Sequence, residues 1–394
     1  MPLDPRLRLL VAIHVILAVI LELVGQQEQS IAAICALLEG RGLDVLSVAA
    51  AIHGLRQHLP PPQPRPRQGG RRITEAWLGS LRDEECRWYF RFTFPELKRV
   101  VAALKIPDPW YTRYRHKFTA LEAFCILVYR FRSGHDLLDL TTRFDRSASA
   151  LSECVNGLVM WLERHWRHLF EFDPEGVMHP DNLSAYARAF RRAGCPLKRV
   201  WGMIDCTIRA ICRPSLFQRL FYSGHKRYHA LKFESIVIPN GLIAFLFGPE
   251  AGRRNDLHLL DISGIVELCY DYCFTMSADG TRRYFQLYGD GAYGDSEVLL
   301  SPFTADGEDL EPEEQWFNTD MGDMRVAVEH GYGIVVNNWP FLNCTSKHRL
   351  FLSPVASYYR VAVLLTNIQN CLYPNQVSQK FDLMPPTVEE YLHD

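Results

Sequence analysis

The sequence predicts an α/β protein in which a mixed β-sheet flanked by helices follows an all-helical amino-terminal region. The first observation is a change of pattern near Lys198, from helical periodicity to short runs rich in β-branched and aromatic residues. The second is the order of elements after that point, with three strand-like runs followed by helix, strand and helix. The third is Pro239-Asn240-Gly241, which predicts a hairpin turn between the second and third runs.

Composition and periodicity divide the chain into five segments. Residues 1–58 are apolar, alanine-rich and helical in pattern. Residues 59–72, LPPPQPRPRQGGRR, form a Pro/Arg-rich linker, because proline favours extended backbone. Residues 73–175 are helical, residues 198–375 form the sheet-containing domain, and residues 376–394 form a C-terminal tail.

The most apolar stretch of the first segment is Leu9–Val24. It is shorter than the roughly 20 apolar residues of a spanning helix, and it contains Glu22. We therefore expect no membrane span and interpret it as a buried or partner-binding helix. A membrane-associated scaffold is a rival hypothesis that depends on this stretch alone.

Two helices joined by a short polar turn are predicted within residues 73–175. The first is Leu137–Phe144, and Ser147 or Ser149 caps the second. Four apolar residues of the second recur at helical spacing: Leu151, Val155, Leu158 and Leu162. The pair is typical of a helix-turn-helix-like unit or of an ordinary helical bundle that covers a catalytic core, and spacing alone favours the bundle.

The charge balance excludes a strongly basic nucleic-acid binder, since the formal net charge is -2. Basic residues crowd Arg65–Lys117 and acidic residues crowd Asp306–Glu314, which indicates different faces with different partners. The sequence contains no CxxC pair, GxSxG, Walker or HExxH motif.

Two aspartates lie in or directly after predicted strands. Asp205 lies within the apolar run GMIDCT, where burying a carboxylate is costly unless it is paired or binds a cation. Asp290 follows YFQLYG, at the strand end where open α/β sheets place ligand groups. The structural alternatives are an ion pair between Asp205 and Arg209, and a turn at Asp290.

Two further carboxylates lie on or beside predicted helices. Asp256 lies at a loop-to-helix junction, and Glu329 follows Arg325 by one helical turn. A helix cap at Asp256 and a surface ion pair at Glu329 are the structural alternatives. Each alternative is favoured singly, but together the four carboxylates supply the hard oxygen ligands that Mg²⁺ or Mn²⁺ requires.

Five motifs carry a specific resemblance: GMIDCTIRAICRP, YSGHKRYHALKFESIVIPNGLI, FGPEAGRRNDLHLL, YFQLYGDGAYG and MRVAVEHGYG. The segment from Arg199 to about Leu342 resembles the PIF/Harbinger superfamily of DDE transposases and the harbinger transposase-derived nucleases. The family's acidic residues match Asp205, Asp256, Asp290 and Glu329. Cys206 replaces the usual glycine, and IVVNNWPFL stands where the family often carries basic residues.

The resemblance implies an RNase H-like fold and a two-metal hydrolysis of DNA phosphodiester bonds. The implied catalytic residues are Asp205, Asp290 and Glu329, and these residues with Asp256 would bind Mg²⁺ or Mn²⁺. The residues expected to contact DNA are Lys226, Arg227, Lys232, Arg253 and Arg254. His225 and His229 are four residues apart in a stretch that leads into a strand, where that spacing puts both on one face but far apart. The stretch is therefore interpreted as phosphate-facing rather than as a metal pair.

The resemblance also implies partners and a location. DNA is the expected substrate, a separate Myb-like DNA-binding protein and a homo-oligomer are further expectations, and the expected location is the nucleus. The alternative function is a domesticated transposase-derived factor that binds DNA or protein without cleaving. The intact carboxylates argue against that alternative, and the two departures from the family pattern argue for it.

The carboxylates are expected to converge in the fold. Asp205 and Asp290 should lie on neighbouring strands, with Val326 facing the sheet and Glu329 reaching its edge. Carboxylate oxygens that share two metal ions should lie within roughly 8 Å of one another.

Overall fold

The structure, a computed structural model, describes residues 69–305 and 309–393. All of these residues belong to one compact unit and share one hydrophobic core. Segment 1–58, with Leu9–Val24, lies outside the described residues. No helix in the described part of the chain has the length and apolar character needed to cross a membrane.

Helices dominate the described chain before the main sheet, as predicted. They are α1 (Glu75–Gly79), α2 (Asp83–Phe90), α3 (Phe94–Ala103), α4 (Ala120–Ser133), α5 (Leu137–Phe144), α6 (Ala148–Trp166) and α7 (Pro180–Arg192). A short antiparallel ladder interrupts them, formed by β1 (Trp110–Tyr111) and β2 (Lys117–Phe118).

Helices α5 and α6 are the two helices predicted around the polar turn. The Ser147 hydroxyl caps α6 by accepting a hydrogen bond from the Ala150 N–H at 3.3 Å. The apolar face of α6 is buried, and the helix packs against α4 and against a later helix, α12 (Val355–Leu372). This enclosure between two core helices is the packing of a bundle helix.

The main sheet is mixed, which confirms the predicted architecture. Its strands are β3 (Val200–Ala210), β4 (Tyr222–Ser223), β5 (Tyr228–Val237), β6 (Ile243–Ala251), β9 (Gln286–Tyr288) and β10 (Leu299–Leu300). Strand β5 pairs antiparallel with β3, β4 and β6, whereas β9 pairs parallel with β3 and β10. The predicted hairpin turn joins β5 to β6, with Gly241 at φ +81°.

The elements after β6 depart from the prediction in detail. The single helix predicted after the third strand-like run is two helices, α9 (Asp256–Ser263) and α10 (Ile265–Tyr272), because Gly264 adopts a left-handed φ of +67° between them. A hairpin of β7 (Phe274–Met276) and β8 (Arg282–Tyr284) follows. A short helix α8 (Gln218–Phe221) precedes β4, and the long helix α11 spans Pro312–Asn338.

The expectation of a C-terminal tail is wrong. Residues 376–393 include α13 (Gln376–Phe381) and α14 (Val388–Tyr391), and both contribute buried side chains to the core. The buried Asn367 amide connects this region to the sheet. It accepts a hydrogen bond from the Ile243 N–H at 3.1 Å and donates to the Tyr391 hydroxyl at 2.9 Å. The core therefore extends almost to the chain end.

Candidate active site

Asp205 lies in the middle of β3, a strand with neighbours on both sides. Its Oδ1 accepts a hydrogen bond from the Cys206 N–H at 2.7 Å. Burial raises the pKa of Asp205 to about 6, and nearby Asp256 and Asp290 act in the same direction. The Arg325 guanidinium and the Cys206 N–H oppose this rise by stabilising the carboxylate.

Asp290 lies two residues beyond β9, the parallel neighbour of β3. Because Met203 pairs with Tyr288, Asp290, just beyond the carboxyl end of β9, lies level with Asp205 in the middle of the adjacent strand β3. The prediction that these two aspartates lie on neighbouring strands is confirmed. The Asp290 side chain is half-exposed, and its backbone carbonyl accepts from the Tyr293 N–H at 3.0 Å, so the predicted turn is present as well.

Glu329 reaches the same place from α11, and Arg325 joins the three carboxylates. Nη2 of Arg325 lies 3.7 Å from Oδ2 of Asp205 and 3.2 Å from Oε1 of Glu329. Nη1 lies 3.6 Å from Oδ1 of Asp290. Since Asp205 and Glu329 share one nitrogen, their oxygens fall within the roughly 8 Å expected of carboxylates that hold two metal ions.

The expected orientation of α11 is wrong in one respect. Val326 does not face the sheet, because its side chain is 48% exposed. The helix packs through Met321, Met324, Tyr332 and Val335, which are buried, and the Tyr332 hydroxyl donates to the Ser235 carbonyl of β5 at 3.3 Å.

Asp256 lies near these three carboxylates but forms an ion pair with Lys232 instead of Arg325. It is the first residue of α9, and Asn255 rather than Asp256 caps the helix by accepting from the His258 N–H at 3.0 Å. The Lys232 ammonium contacts the Asp256 carboxylate and also donates to the Arg254 carbonyl at 3.2 Å. The Lys232 side chain is only 13% exposed, so the structure does not support its predicted contact with DNA.

Glu234 is a fifth carboxylate that the sequence reasoning missed. It lies on β5 opposite Cys206 of β3, is fully buried, and neither carboxylate oxygen accepts a hydrogen bond. Burial raises its pKa to about 7, the nearby Ser263 hydroxyl opposes this rise, and the charge of Asp256 adds to it. The available signal was the one used for Asp205, a charged residue inside an apolar strand, here ALKFESIVIP.

Cys206, the departure from the glycine of the family motif, is a neutral neighbour of Asp205. Burial raises the pKa of its thiol far above the physiological range. The Tyr293 hydroxyl donates to its Sγ at 3.4 Å. The thiol therefore adds no charge to the group of carboxylates.

The other residues predicted to contact DNA are exposed. Lys226 and Arg227 lie in the turn between β4 and β5, and Arg253 and Arg254 precede α9. His225 lies in the turn before β5 rather than on the strand, and both His225 and His229 line one surface pocket.

The donor set suits a hard divalent cation, since it offers carboxylate oxygens from two strands and a helix. The carboxylates of Asp205, Asp290 and Glu329 already surround one positive charge, the Arg325 guanidinium. Among the described residues, however, no three acidic, histidine or cysteine side chains stand close enough to hold an ion between them. A bound ion would therefore require the Arg325 guanidinium to move aside.

Residues 204–367 match the family of DDE superfamily endonucleases. The matched range begins one residue before Asp205 and includes Asp256, Asp290 and Glu329. No curated protein matches the chain, and no solved structure does. This segment of the chain is therefore similar to the DDE-type endonucleases.

Proposed function

We propose that this chain, with its DDE-type endonuclease domain, is a metal-dependent nuclease that hydrolyses DNA phosphodiester bonds. One observation carries the proposal: Asp205, Asp290 and Glu329 converge on a single cationic group within the segment that matches the endonuclease family. The finer assignment to PIF/Harbinger rests on the five motifs. Nuclear location, a Myb-like partner and a homo-oligomer are parts of this proposal.

The chain's own residues have distinct roles in this function. Asp205, Asp290 and Glu329 would hold two Mg²⁺ or Mn²⁺ ions, and Asp256 would be a further ligand or would orient the others. Bound divalent ions supply an activated water and stabilise the leaving oxygen in phosphodiester hydrolysis. Arg325 neutralises the carboxylates when no ion is bound, and the exposed arginines near Asp256 attract the phosphate backbone.

The test is cleavage of labelled duplex DNA by the full chain in Mg²⁺ or Mn²⁺. Asp205→Asn, Asp290→Asn and Glu329→Gln should each lower the rate by at least about a thousand-fold, because each removes charge that holds the ions. Asp271→Asn is the matched control, since Asp271 is an exposed aspartate on α10 and is not one of the four matched carboxylates. Cleavage that survives all three substitutions would show that another site is responsible.

A second candidate function is a DNA-binding factor that no longer cuts. The observation in its favour is the Arg325 guanidinium, which already occupies the centre of the carboxylate group. DNA binding with no cleavage in either metal would select this function.

A further inference from the structure

A basic pocket of about 700 Å³ opens beside the β4–β5 turn. The side chains that define it are Arg213, Arg219, Tyr222, His225, His229 and Arg253. None of the residues that line it is acidic. The Tyr222 and His229 rings contact each other, with centroids 5.4 Å apart. The pocket therefore presents positive charge and aromatic surface together, which suits a phosphate-bearing ligand.

Two exposed phenylalanines, the aromatic pair Phe217 and Phe351, lie next to this pocket. Their ring centroids are 6.3 Å apart, and the residues are 65% and 60% exposed. Both adopt left-handed backbone conformations, with φ of +57° and +69°. A bulky residue at positive φ is strained, and an exposed phenyl ring gains nothing from burial in return. Two exposed and strained phenylalanines at one place indicate that a ligand covers the aromatic pair.

The pocket and the pair form one continuous surface. Helix α8 follows Phe217 directly and carries Arg219 of the pocket. The Arg213 Nε donates to the Gln218 side chain at 2.9 Å, and the Arg253 N–H donates to the Leu220 carbonyl at 3.3 Å. These contacts hold the arginines beside the phenyl rings.

Charge and exposed rings together match single-stranded nucleic acid better than duplex DNA. A basic groove that tracks phosphates, with aromatic side chains on which bases stack, is the usual surface for unpaired strands. Duplex DNA would satisfy the arginines, but its bases are already stacked and would leave Phe217 and Phe351 in water. An apolar protein partner would leave the arginines without counter-charges.

We propose that this surface binds an unpaired segment of the DNA substrate, with bases stacked on Phe217 and Phe351 and phosphates in the basic pocket. The substrate class rests on the proposed function. The pocket residue His229 pairs with Ile211, six residues beyond Asp205, and a strand advances about 3.3 Å per residue, which puts the pocket roughly 20 Å from Asp205. At about 3.4 Å per nucleotide, the unpaired segment lies about six nucleotides from the bond that is cut.

The experiment measures binding of the full chain, in EDTA, to a fluorescent oligothymidine and to a duplex of the same length. Phe217→Ala and Phe351→Ala should each weaken single-strand binding roughly five- to hundred-fold, and leave duplex binding within about two-fold. Phe217→Tyr should retain binding, since tyrosine also stacks. Arg219→Gln should lower the salt dependence of single-strand binding by about 0.7 in log–log slope. Trp316→Ala is the control, because Trp316 is 61% exposed beside an acidic stretch.

Several results would overturn the inference. They are no single-strand binding by the wild-type chain, unchanged binding by the alanine variants, and equal losses for both DNA forms. A wild-type dimer that the alanine variants dissociate would also overturn it, because the pair would then be a protein interface. If the chain binds single-stranded DNA through the aromatic pair but does not cleave DNA, the proposed nuclease function is refuted and the proposed binding surface stands.

Discussion

Nη2 of Arg325 lies 3.7 Å from Oδ2 of Asp205, so a helix residue supplies the counter-charge for a carboxylate in the centre of the sheet. The same guanidinium contacts Asp290 and Glu329. Gathered carboxylates repel one another unless a cation lies among them. The Arg325 guanidinium therefore supplies the positive charge that a metal ion would supply, and it must move aside before an ion can bind there.

Replacing Arg325 should make the stability of the protein depend on divalent metal. In EDTA, Arg325→Gln should lower the free energy of unfolding by about 1–2 kcal/mol, because three carboxylates lose their partly buried partner. Millimolar Mg²⁺ should recover most of this loss. It should stabilise the wild-type protein less than it stabilises Arg325→Gln. Urea unfolding with and without Mg²⁺ measures both effects. Arg254→Gln, which removes an exposed arginine, is the control, and an equal response to Mg²⁺ in all three proteins would refute the idea.

Lys232 should contribute to stability rather than to DNA affinity. Lys232→Met leaves the partly buried Asp256 carboxylate without its ammonium, which should cost about 2 kcal/mol in urea unfolding. The salt dependence of duplex binding should not change. Lys226→Met, at an exposed position, should show the reverse, with stability kept and the log–log salt slope reduced by about 0.9. A reduced slope for Lys232→Met would restore Lys232 as a phosphate contact.

Glu234 should make the protein less stable as the pH rises. Its pKa in the folded chain is about 7, above the ordinary value of 4.5, so the fold favours the protonated form. That stabilisation is complete below about pH 4.5 and is lost as the pH rises through 7, a decline on the order of 3 kcal/mol. Glu234→Gln should remove this part of the decline.

The measurement is urea unfolding of wild type and Glu234→Gln between about pH 5 and pH 8. Asp205, whose pKa is about 6, adds a decline of the same sign in both proteins. The variant should therefore have a shallower pH dependence, not a flat one. Parallel curves for the two proteins would show that Glu234 is already ionised, or paired, at low pH.

The adjacency of Asp205 and Asp290 could be predicted because the strand patterns are clear in the sequence. They place Asp205 within one strand and Asp290 directly after another. The burial of Glu234 could have been predicted in the same way, since it is a charged residue in an apolar strand, but it lies outside the four carboxylates that match the family motifs. The orientation of α11 was harder to predict. Its apolar residues are sparse and glycines interrupt them, so periodicity did not identify Met321 and Met324 as its buried face.

Ion pairs between residues that are distant in sequence explain why the crowding of basic residues did not predict a binding surface. Basic residues crowd Arg65–Lys117 in the sequence, yet Arg99 pairs with Glu389 near the chain end at 2.5 Å. Arg72 pairs with Asp145 at 3.4 Å. The crowding of basic residues in the sequence predicts one basic face with its own partner, whereas ion pairs with distant carboxylates already neutralise two of these charges. The C-terminal helices that supply Glu389 were themselves predicted to be a tail.

Gly241 and Gly280 form a matched pair that separates backbone strain from crowding. Both adopt φ +81°. A Cβ at Gly241 would lie 2.3 Å from Oδ1 of Asn375, whereas a Cβ at Gly280 would meet nothing within 4 Å. Asn375 Oδ1 also caps α13 by accepting from the Val377 N–H at 2.9 Å. An added methyl group at Gly241 must therefore displace a helix cap.

We expect Gly280→Ala to cost about 1 kcal/mol, from left-handed strain alone. Gly241→Ala should cost about 2–4 kcal/mol, since the loss of the cap adds to the same strain. Urea unfolding of the two variants gives the difference directly. In an Asn375→Ala background the clash and the cap are both already gone, so the cost of Gly241→Ala should fall to that of Gly280→Ala. Equal costs in the wild-type background would mean that Asn375 moves freely, and that the last two helices do not depend on this contact with the β5–β6 turn.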